Sequence, residues 1–458
     1  LAYSELSCLA VELLFVANRR DIPSAPKCAR RRFVIGKKYI RKMAVGAELL
    51  DLPDEVLLKI FDYLSVRETL RLEGTCRRLY LIAERHWKRL TCLDLLDFLS
   101  SNNRNSLDIC SAYKFDMAAK SVVERVGPHL KHLVLSRFGP LEYGLRMGLE
   151  YAVVEYCSNL ESLNLSYRLL ERFWLVQLAE ATPTLKKLNV AQVHIRHYGG
   201  LDDKLLETVL KHWNKLETLV VRNNKRIHLA CYQYLPTTLR QLDVKGCAVS
   251  SAFVTYALKH CPKLDTLAVT YQPDAPLLQP FSSGEQQIKR LSVDCPAPFA
   301  LPHWLVTSIE SLTGLRSLTI CSHLVTDVTF KVIGRCLVNL EELSLPGSRP
   351  GSLSSAEKAL LELKHLPKLC RVAVKGNPIG PTLLRTCGQL ERLIHIDVSY
   401  AVKQHELADI FDDIRSPVLR TLVMKGFCPV TGDRIRMRQE LISRLKPNCP
   451  SLANVILS

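Results

Sequence analysis

The chain has 458 residues, 47% of them hydrophobic, and a formal net charge of +17. That length is too great for one ordinary compact core, and the apolar fraction excludes disorder throughout, so several domains or an elongated repeat array is expected. No apolar run reaches the roughly eighteen residues of a spanning helix, which argues against a membrane protein; the basic surplus favours anionic partners in general.

Residues 1–48 carry ten Lys/Arg against four Asp/Glu and read as a basic, disordered segment. Glu5 and Glu12 interrupt the apolar start and no basic region precedes it, so a secretory signal is not read. Lys27 to Lys42 holds eight basic residues and no acid. It has two readings: a nuclear-localisation or nucleic-acid patch, or sequence foreign to the natural protein. Because the chain lacks an initiator Met and Met43 stands just before the first helical pattern, residues 1–42 are expected to be translated upstream sequence or a fragment's tail.

Residues 49–89 form a separate module. Leu52-Pro53-Asp54-Glu55 is a helix start, with proline in the first turn and acids complementing the helix dipole. Leu57, Ile60, Phe61 and Leu64 then follow at one-face spacing. Ser65 and Glu68 have capping-box spacing, which starts a second helix. Cys76, Leu79, Tyr80, Ala83 and Trp87 supply the apolar face of a third. Three short helices bury little surface, so this piece is expected to lean on the neighbouring chain or on a partner.

From Leu90 almost to the last residue one pattern recurs, apolar at its first, fourth and sixth positions, as in Leu130-Lys131-His132-Leu133-Val134-Leu135. Fourteen starts are found, at 90, 130, 160, 185, 216, 239, 264, 288, 315, 340, 369, 393, 419 and 452, with intervals centred near 25 residues. That period matches a leucine-rich repeat. Alternation at the end of the pattern makes a short strand whose anchors point inward. Between strands, Leu205, Leu206, Val209, Leu210 and Trp213 fit one apolar helix face. No single unit buries both its faces, so stacking is required. The expected fold is an α/β leucine-rich-repeat solenoid (a horseshoe) over residues 90–458, with parallel strands on the concave face. Residues 100–106, 271–287 and 294–303 read as loop insertions. Leu452, Val455 and Leu457 form a last strand with no following cap, and a C-terminal truncation is expected there.

The sixteen cysteines contain no C-x-x-C pair, and the nearest two in sequence, Cys247 and Cys261, are fourteen residues apart. Neither a metal site nor a disulfide framework is read, and no cofactor is expected. Cys157, Cys261, Cys336 and Cys449 sit at the ends of helical patterns as small buried hydrophobes, which points to a reducing compartment, cytosol or nucleus.

Two resemblances follow from these residues. The helix-end cysteines are similar to those of the cysteine-containing class of leucine-rich repeats. Leu52-Pro53-Asp54-Glu55, Leu58, Ile60-Phe61, Leu64, Leu70, Cys76-Arg77-Arg78-Leu79 and Trp87 resemble an F-box. Leu79-Tyr80 replaces that family's usual bulky aromatic. The resemblance to F-box/leucine-rich-repeat proteins covers roughly residues 49–458. It implies a substrate receptor of an SCF-type ubiquitin ligase, docking through an adaptor onto cullin and RING subunits while the solenoid holds a target protein. By the same analogy, adaptor contacts would come from Leu52, Pro53, Ile60, Leu64, Leu70 and Trp87. The chain would contribute proximity and carry out no chemistry.

Outward strand positions nominate target-binding cations at Lys187, Arg222, Lys245, Arg290, Arg371 and Lys375, with Lys425 beside them. Asp243, Asp294, Glu342 and Asp397 make that face mixed. Basic clusters of this kind can hold an acidic or phosphorylated segment, and solvated surface charge is the plainer reading. No phosphate-cradling glycine loop, G-x-S-x-G or H-E-x-x-H occurs, so no enzyme is read. Two alternatives stay open: a three-helix cap on the array, and a protein-binding scaffold with no ubiquitin link. Nucleic acid and membrane are not expected as partners.

Overall fold

Each of the fourteen starts read from the sequence is followed, two residues later, by a short parallel strand. The computed structural model describes residues 49–95, 109–136, 147–228, 232–270, 288–294, 309–321, 326–347, 356–402, 410, 413–426 and 434–457. Its contacts divide the chain into two units, Leu1–Asn164 and Leu165–Ser458. The basic segment 1–48, the insertions at 100–106 and 271–287 and most of 294–303 lie outside the described residues.

In the first unit, α1 (Asp54–Phe61), α2 (Val66–Glu73) and α3 (Arg77–Trp87) precede β1 (Cys92–Asp94), α4 (Ile109–Val126), β2 (His132–Val134), α5 (Met147–Tyr156) and β3 (Ser162–Asn164). Pro53 is the N-cap residue of α1 and lies just outside its first turn; its carbonyl accepts the Val56 and Leu57 amides at 3.0 Å. The capping box forms as the spacing requires. Ser65 donates its amide to Glu68 Oε2 at 2.8 Å, and Glu68 donates its own to Ser65 Oγ at 3.3 Å. α3 packs on both α1 and α2. Its inward face is Leu79, Ile82, Ala83, His86 and Trp87, because 3.6 residues per turn carries the line from 79 through 82 and 83 to 86 and 87. Tyr80, expected inside, is 47% exposed. β1, β2 and β3 pair in parallel, with Leu93, Leu133 and Leu163 in register.

The second unit holds eleven ladder strands among its described residues: β5 (Lys187–Asn189), β8 (Thr218–Val220), β9 (Gln241–Asp243), β10 (Thr266–Thr270), β11 (Arg290–Asp294), β12 (Ser317–Ile320), β13 (Glu342–Ser344), β14 (Arg371–Ala373), β15 (His395–Asp397), β16 (Thr421–Met424) and β17 (Asn454–Leu457). The sheet order follows the chain order. Leu188, Leu219, Leu242, Leu267, Leu291, Leu318, Leu343, Val372, Ile396, Leu422 and Val455 are each at most 2% exposed and stack into one apolar line. A smaller sheet holds β4 (Leu169–Leu170), β6 (His194–Ile195) and β7 (Gly199–Gly200); in the chain β4 precedes β5, and β6 and β7 follow it.

Helices α6 (Arg172–Ala181), α7 (Asp203–His212), α8 (Ser251–His260), α9 (Asp327–Cys336), α10 (Ala356–Leu361), α11 (Gly380–Thr386) and α12 (Arg434–Leu445) connect ladder strands. α7 buries Leu205, Leu206, Val209 and Leu210 as its periodicity demands. Three residues before the first anchor the chain turns, and in several described repeats one side chain fills the turn. Cys157, Cys261 and Cys449 occupy that slot and are 0–1% exposed. Cys336 does not: Leu337 fills the slot at 0% exposure, and the thiol one residue earlier is half-buried. Thr182 and Trp213 take the slot in adjacent repeats, and the indole N–H donates to Thr182 Oγ1 at 3.0 Å.

A ninth repeat position, three residues beyond the last anchor, was not singled out in the sequence. Asn224 there is 2% exposed and donates to the Val190 and Val221 carbonyls at 2.8 Å while accepting the Val193 amide. Asn377 donates likewise to Leu345 O. Cys247 in the same position contacts Val221 O. These side chains satisfy backbone groups that the turn leaves without sheet partners.

Candidate functional site

The front module keeps its strongest apolar groups inside and leaves a second tier at the surface. Leu57 and Phe61 are buried; Leu52, Ile60, Leu64 and Leu70 are half-buried and Pro53 is exposed. Ile60 flanks the buried Leu57–Phe61 line of α1, so it shares its surface between the core and solvent. The approach to α1 is fixed by a residue whose role the sequence alone did not reveal. Arg78 donates to the Leu52 carbonyl at 2.8 Å and to Asp54 Oδ1 at 2.9 Å, and also reaches the Leu50 carbonyl. One guanidinium fork thus holds the backbone on either side of Pro53. Its only sequence signal was the arginine pair after Cys76.

Trp87 departs from the expected adaptor set. It is 3% exposed, and its indole N–H donates to Glu73 Oε2 at 2.8 Å. Glu73 also accepts Arg125 of α4 at 2.8 Å. Trp87 therefore holds α3 against α2, and through Glu73 the module is tied to α4; its ring is not available to a partner in this conformation. Beside it, His86 is 5% exposed with Nδ1 3.2 Å from Asp62 Oδ1. Burial pushes the His86 pKa down, and Asp62 opposes that shift.

On the sheet face, strand register sorts the predicted cations. Lys187, Arg290 and Arg371 stand first in their strands; Arg222, Lys245 and Lys375 stand two residues past theirs. Three of the six have acidic neighbours. Arg371 sits in register with Glu342 on β13 and meets its Oε1 at 2.6 Å. Arg222 pairs with Asp243, and Lys375 with Asp397 at 3.3 Å. The last two repeat one motif. The aspartate ends a strand, accepts the amide two residues on, and receives the cation from the preceding repeat. Asp243 and Asp397 are consequently only 6% and 7% exposed. Lys187, Lys245, Arg290 and Lys425 make no ion pair among the described residues. The six cations therefore do not form one free basic cluster, because register places three of them against carboxylates.

A further regularity lies at the rim where the strands end. Tyr167, Gln192, Asn223, Gly246, Gly347, Gly376, Tyr400 and Gly426 occupy equivalent positions, and all have positive φ. Three buried thiols of the array are held protonated by their environment: burial pushes Cys157 and Cys387 up to about 12, and Cys261 to about 11. Among the described residues, no group of His, Cys, Asp and Glu is placed to hold a metal ion, and no helix is long and apolar enough to cross a membrane.

Comparison with known proteins matches residues 49–93 to the F-box-like family. The chain is similar to a Caenorhabditis elegans protein described as "Putative RNA-binding protein EEED8.10", with 23% identity over 454 residues and 96% of this chain covered. The chain spans 57% of that relative's length. Among solved structures, the Rad7–Elc1 complex of yeast aligns over 91% of this chain and 97% of its own, with a TM-score of 0.43 and 14% identity. The leucine-rich-repeat-containing protein LegL7 of Legionella pneumophila aligns over 67% of this chain and 86% of its own (TM-score 0.36, 12% identity). TLR13 in a TLR13–ssRNA13 complex aligns over 72% of this chain and 47% of its own (0.41, 16%). Residues 49–93 are thus an F-box-like module, and the stacked strand–helix units that follow it in the chain have the period of a leucine-rich repeat.

Proposed function

We propose that this chain is the substrate-recognition subunit of an SCF-type E3 ubiquitin ligase, with the front module docking on the adaptor and the repeat array holding a target protein. The observation that carries the reading is the F-box-like module at 49–93, whose Leu52-Pro53 entrance is fixed by Arg78. Leu52, Pro53, Ile60, Leu64 and Leu70 form its proposed adaptor contacts, an exposed or half-buried apolar set of the kind that a partner desolvates at an interface core. Cullin and RING subunits enter through the adaptor, and this chain performs no bond-making step. Its contribution is to hold target lysines near an activated thioester. A cytosolic or nuclear setting belongs to the same proposal, its support being the free cysteines among the described residues.

Reconstitution tests the reading. With adaptor, cullin, RING subunit, activating and conjugating enzymes and ATP, the intact chain is expected to acquire ubiquitin on its own lysines, as a bound receptor does by proximity. A folded Leu52→Ala/Pro53→Ala variant is expected not to. Equal modification of both would remove the docking role, and the array would then be a scaffold without a ubiquitin link.

A further inference from the structure

The rim of the last repeats carries a side chain that its backbone does not favour. Tyr400 has φ 60°, in a position filled by glycine at Gly347, Gly376 and Gly426. A tyrosine there is strained where glycine is not. The strain is not compensated by burial, since Tyr400 is 71% exposed. Its ring nevertheless has a seat: a Cβ at Gly426 would lie 2.2 Å from Tyr400 Cδ1, so glycine in the next repeat leaves the room the ring occupies. The Tyr400 amide donates to Lys425 O at 2.8 Å, which fixes the ring's root to the sheet.

Among the described residues two lysines flank it, and the acid beside them, Asp397, is buried and already paired with Lys375. Lys375 and Lys425 stand at equivalent positions just past the ends of β14 and β16, with Ser399 between them just past β15. Two strand spacings separate the lysines at their roots, about 10 Å. Within reach of long flexible stems, that spacing accommodates one anion or two adjacent ones. The acid beneath, Asp397, is 7% exposed and is held by the Ser399 amide at 3.0 Å, the Ser399 hydroxyl at 2.5 Å and Lys375. Lys425 makes no ion pair among the described residues. Arg371, already paired with Glu342, and the half-buried His395 stand at the starts of β14 and β15.

We propose that this rim, with Tyr400 as aromatic anchor and Lys375 and Lys425 as cationic flank, binds an acidic segment of the target protein, its anion a carboxylate or a phosphate. The inference rests on the receptor reading for the word target, and on the geometry alone for the site. An exposed aromatic offers area at small entropic cost, and paired lysines supply charge-assisted hydrogen bonds.

The test uses the full chain and fluorescence anisotropy with labelled peptides: a glutamate run with one central tryptophan, its glutamine isostere, and a version with two phosphoserines. The glutamate peptide is expected to bind and the glutamine peptide not; tighter binding of the phosphoserine peptide identifies phosphate as the preferred anion, and equal or weaker binding identifies carboxylate. Tyr400→Gly and Lys375→Gln/Lys425→Gln are each expected to weaken binding at least about fivefold. Tyr400→Phe and Tyr167→Gly are expected to bind like the parent. Because glycine relieves the backbone, Tyr400→Gly is expected to melt no lower than the parent while losing the peptide. Unchanged binding in Tyr400→Gly, or a melting temperature that falls in step with affinity, would overturn the inference. So would tighter binding of a single-stranded oligothymidylate through the same residues. Adaptor binding is measured on the same preparations: its loss with peptide binding intact removes the receptor reading and leaves the site standing.

Discussion

Trp87→Phe separates packing from partner contact in the front module. The substitution keeps most of the ring but removes the indole N–H that meets Glu73 at 2.8 Å. Glu73 is 11% exposed at its side chain and keeps Arg125 as its donor among the described residues, so one donor to a nearly buried carboxylate is lost. A hydrogen bond to a charged group contributes about 1.5–3 kcal/mol. The missing ring atoms cost somewhat more, which sets the expected local destabilisation at about 2–3 kcal/mol. Native-state hydrogen exchange reads this directly, since local opening is measured segment by segment. Amides of α2 and α3 are expected to exchange about 30- to 150-fold faster, with the distal repeats unaffected. The module stays overwhelmingly folded, so adaptor affinity is expected to change less than about twofold. Unaltered protection in α2 and α3 would refute the packing argument. A tenfold loss of adaptor affinity would show that Trp87 meets the adaptor after all.

Two other perturbations have signs that the structure fixes. Burial holds the His86 pKa below its ordinary 6.5, so the unfolded chain takes up a proton before the folded one does. The stability contributed by neutral His86 is full above about pH 6.5 and is lost as pH falls through the folded pKa. His86→Gln is expected to flatten that part of the acid limb in melting temperature against pH; an unchanged slope would contradict it. Gly334 lies inside α9, where helix propensity alone would have alanine stabilise by about 1 kcal/mol. A Cβ there would lie 2.6 Å from Glu362 O, a backbone atom, so Gly334→Ala is expected to lower the melting temperature, and a rise would show that the neighbouring segment yields freely.

The repeats were legible because one rule, inward anchors at the fourth and sixth positions, is enforced by burial in every repeat but the last, where Leu457 is half-buried. The strands therefore begin at a constant offset from the starts, and Leu267 meets Leu291 and Leu242 in register. Where several side chains satisfy the same geometry, the letter misled. The helix-end slot accepts cysteine, threonine, tryptophan or leucine, so Cys336 was read one residue away from Leu337, which fills it. Tyr80 was placed inside because an aromatic is apolar, whereas the turn of α3 aims Ile82 and His86 inward. Charges on the sheet were legible as positions but not as pairs. Arg222 meets Asp243 across a diagonal that depends on which strand lies beside which. Positive φ at Tyr400 left no mark in the sequence beyond its alignment with Gly376 and Gly426.

The central claim, that the front module docks on an SCF adaptor, is tested most directly by titrating the purified full chain with purified adaptor and measuring the mass of the complex. The account predicts one adaptor per chain, with affinity lost in a Leu52→Ala/Pro53→Ala variant whose α1–α3 amides remain protected. A well-folded intact chain that forms no such complex, or a folded variant that binds as tightly as its parent, would contradict it.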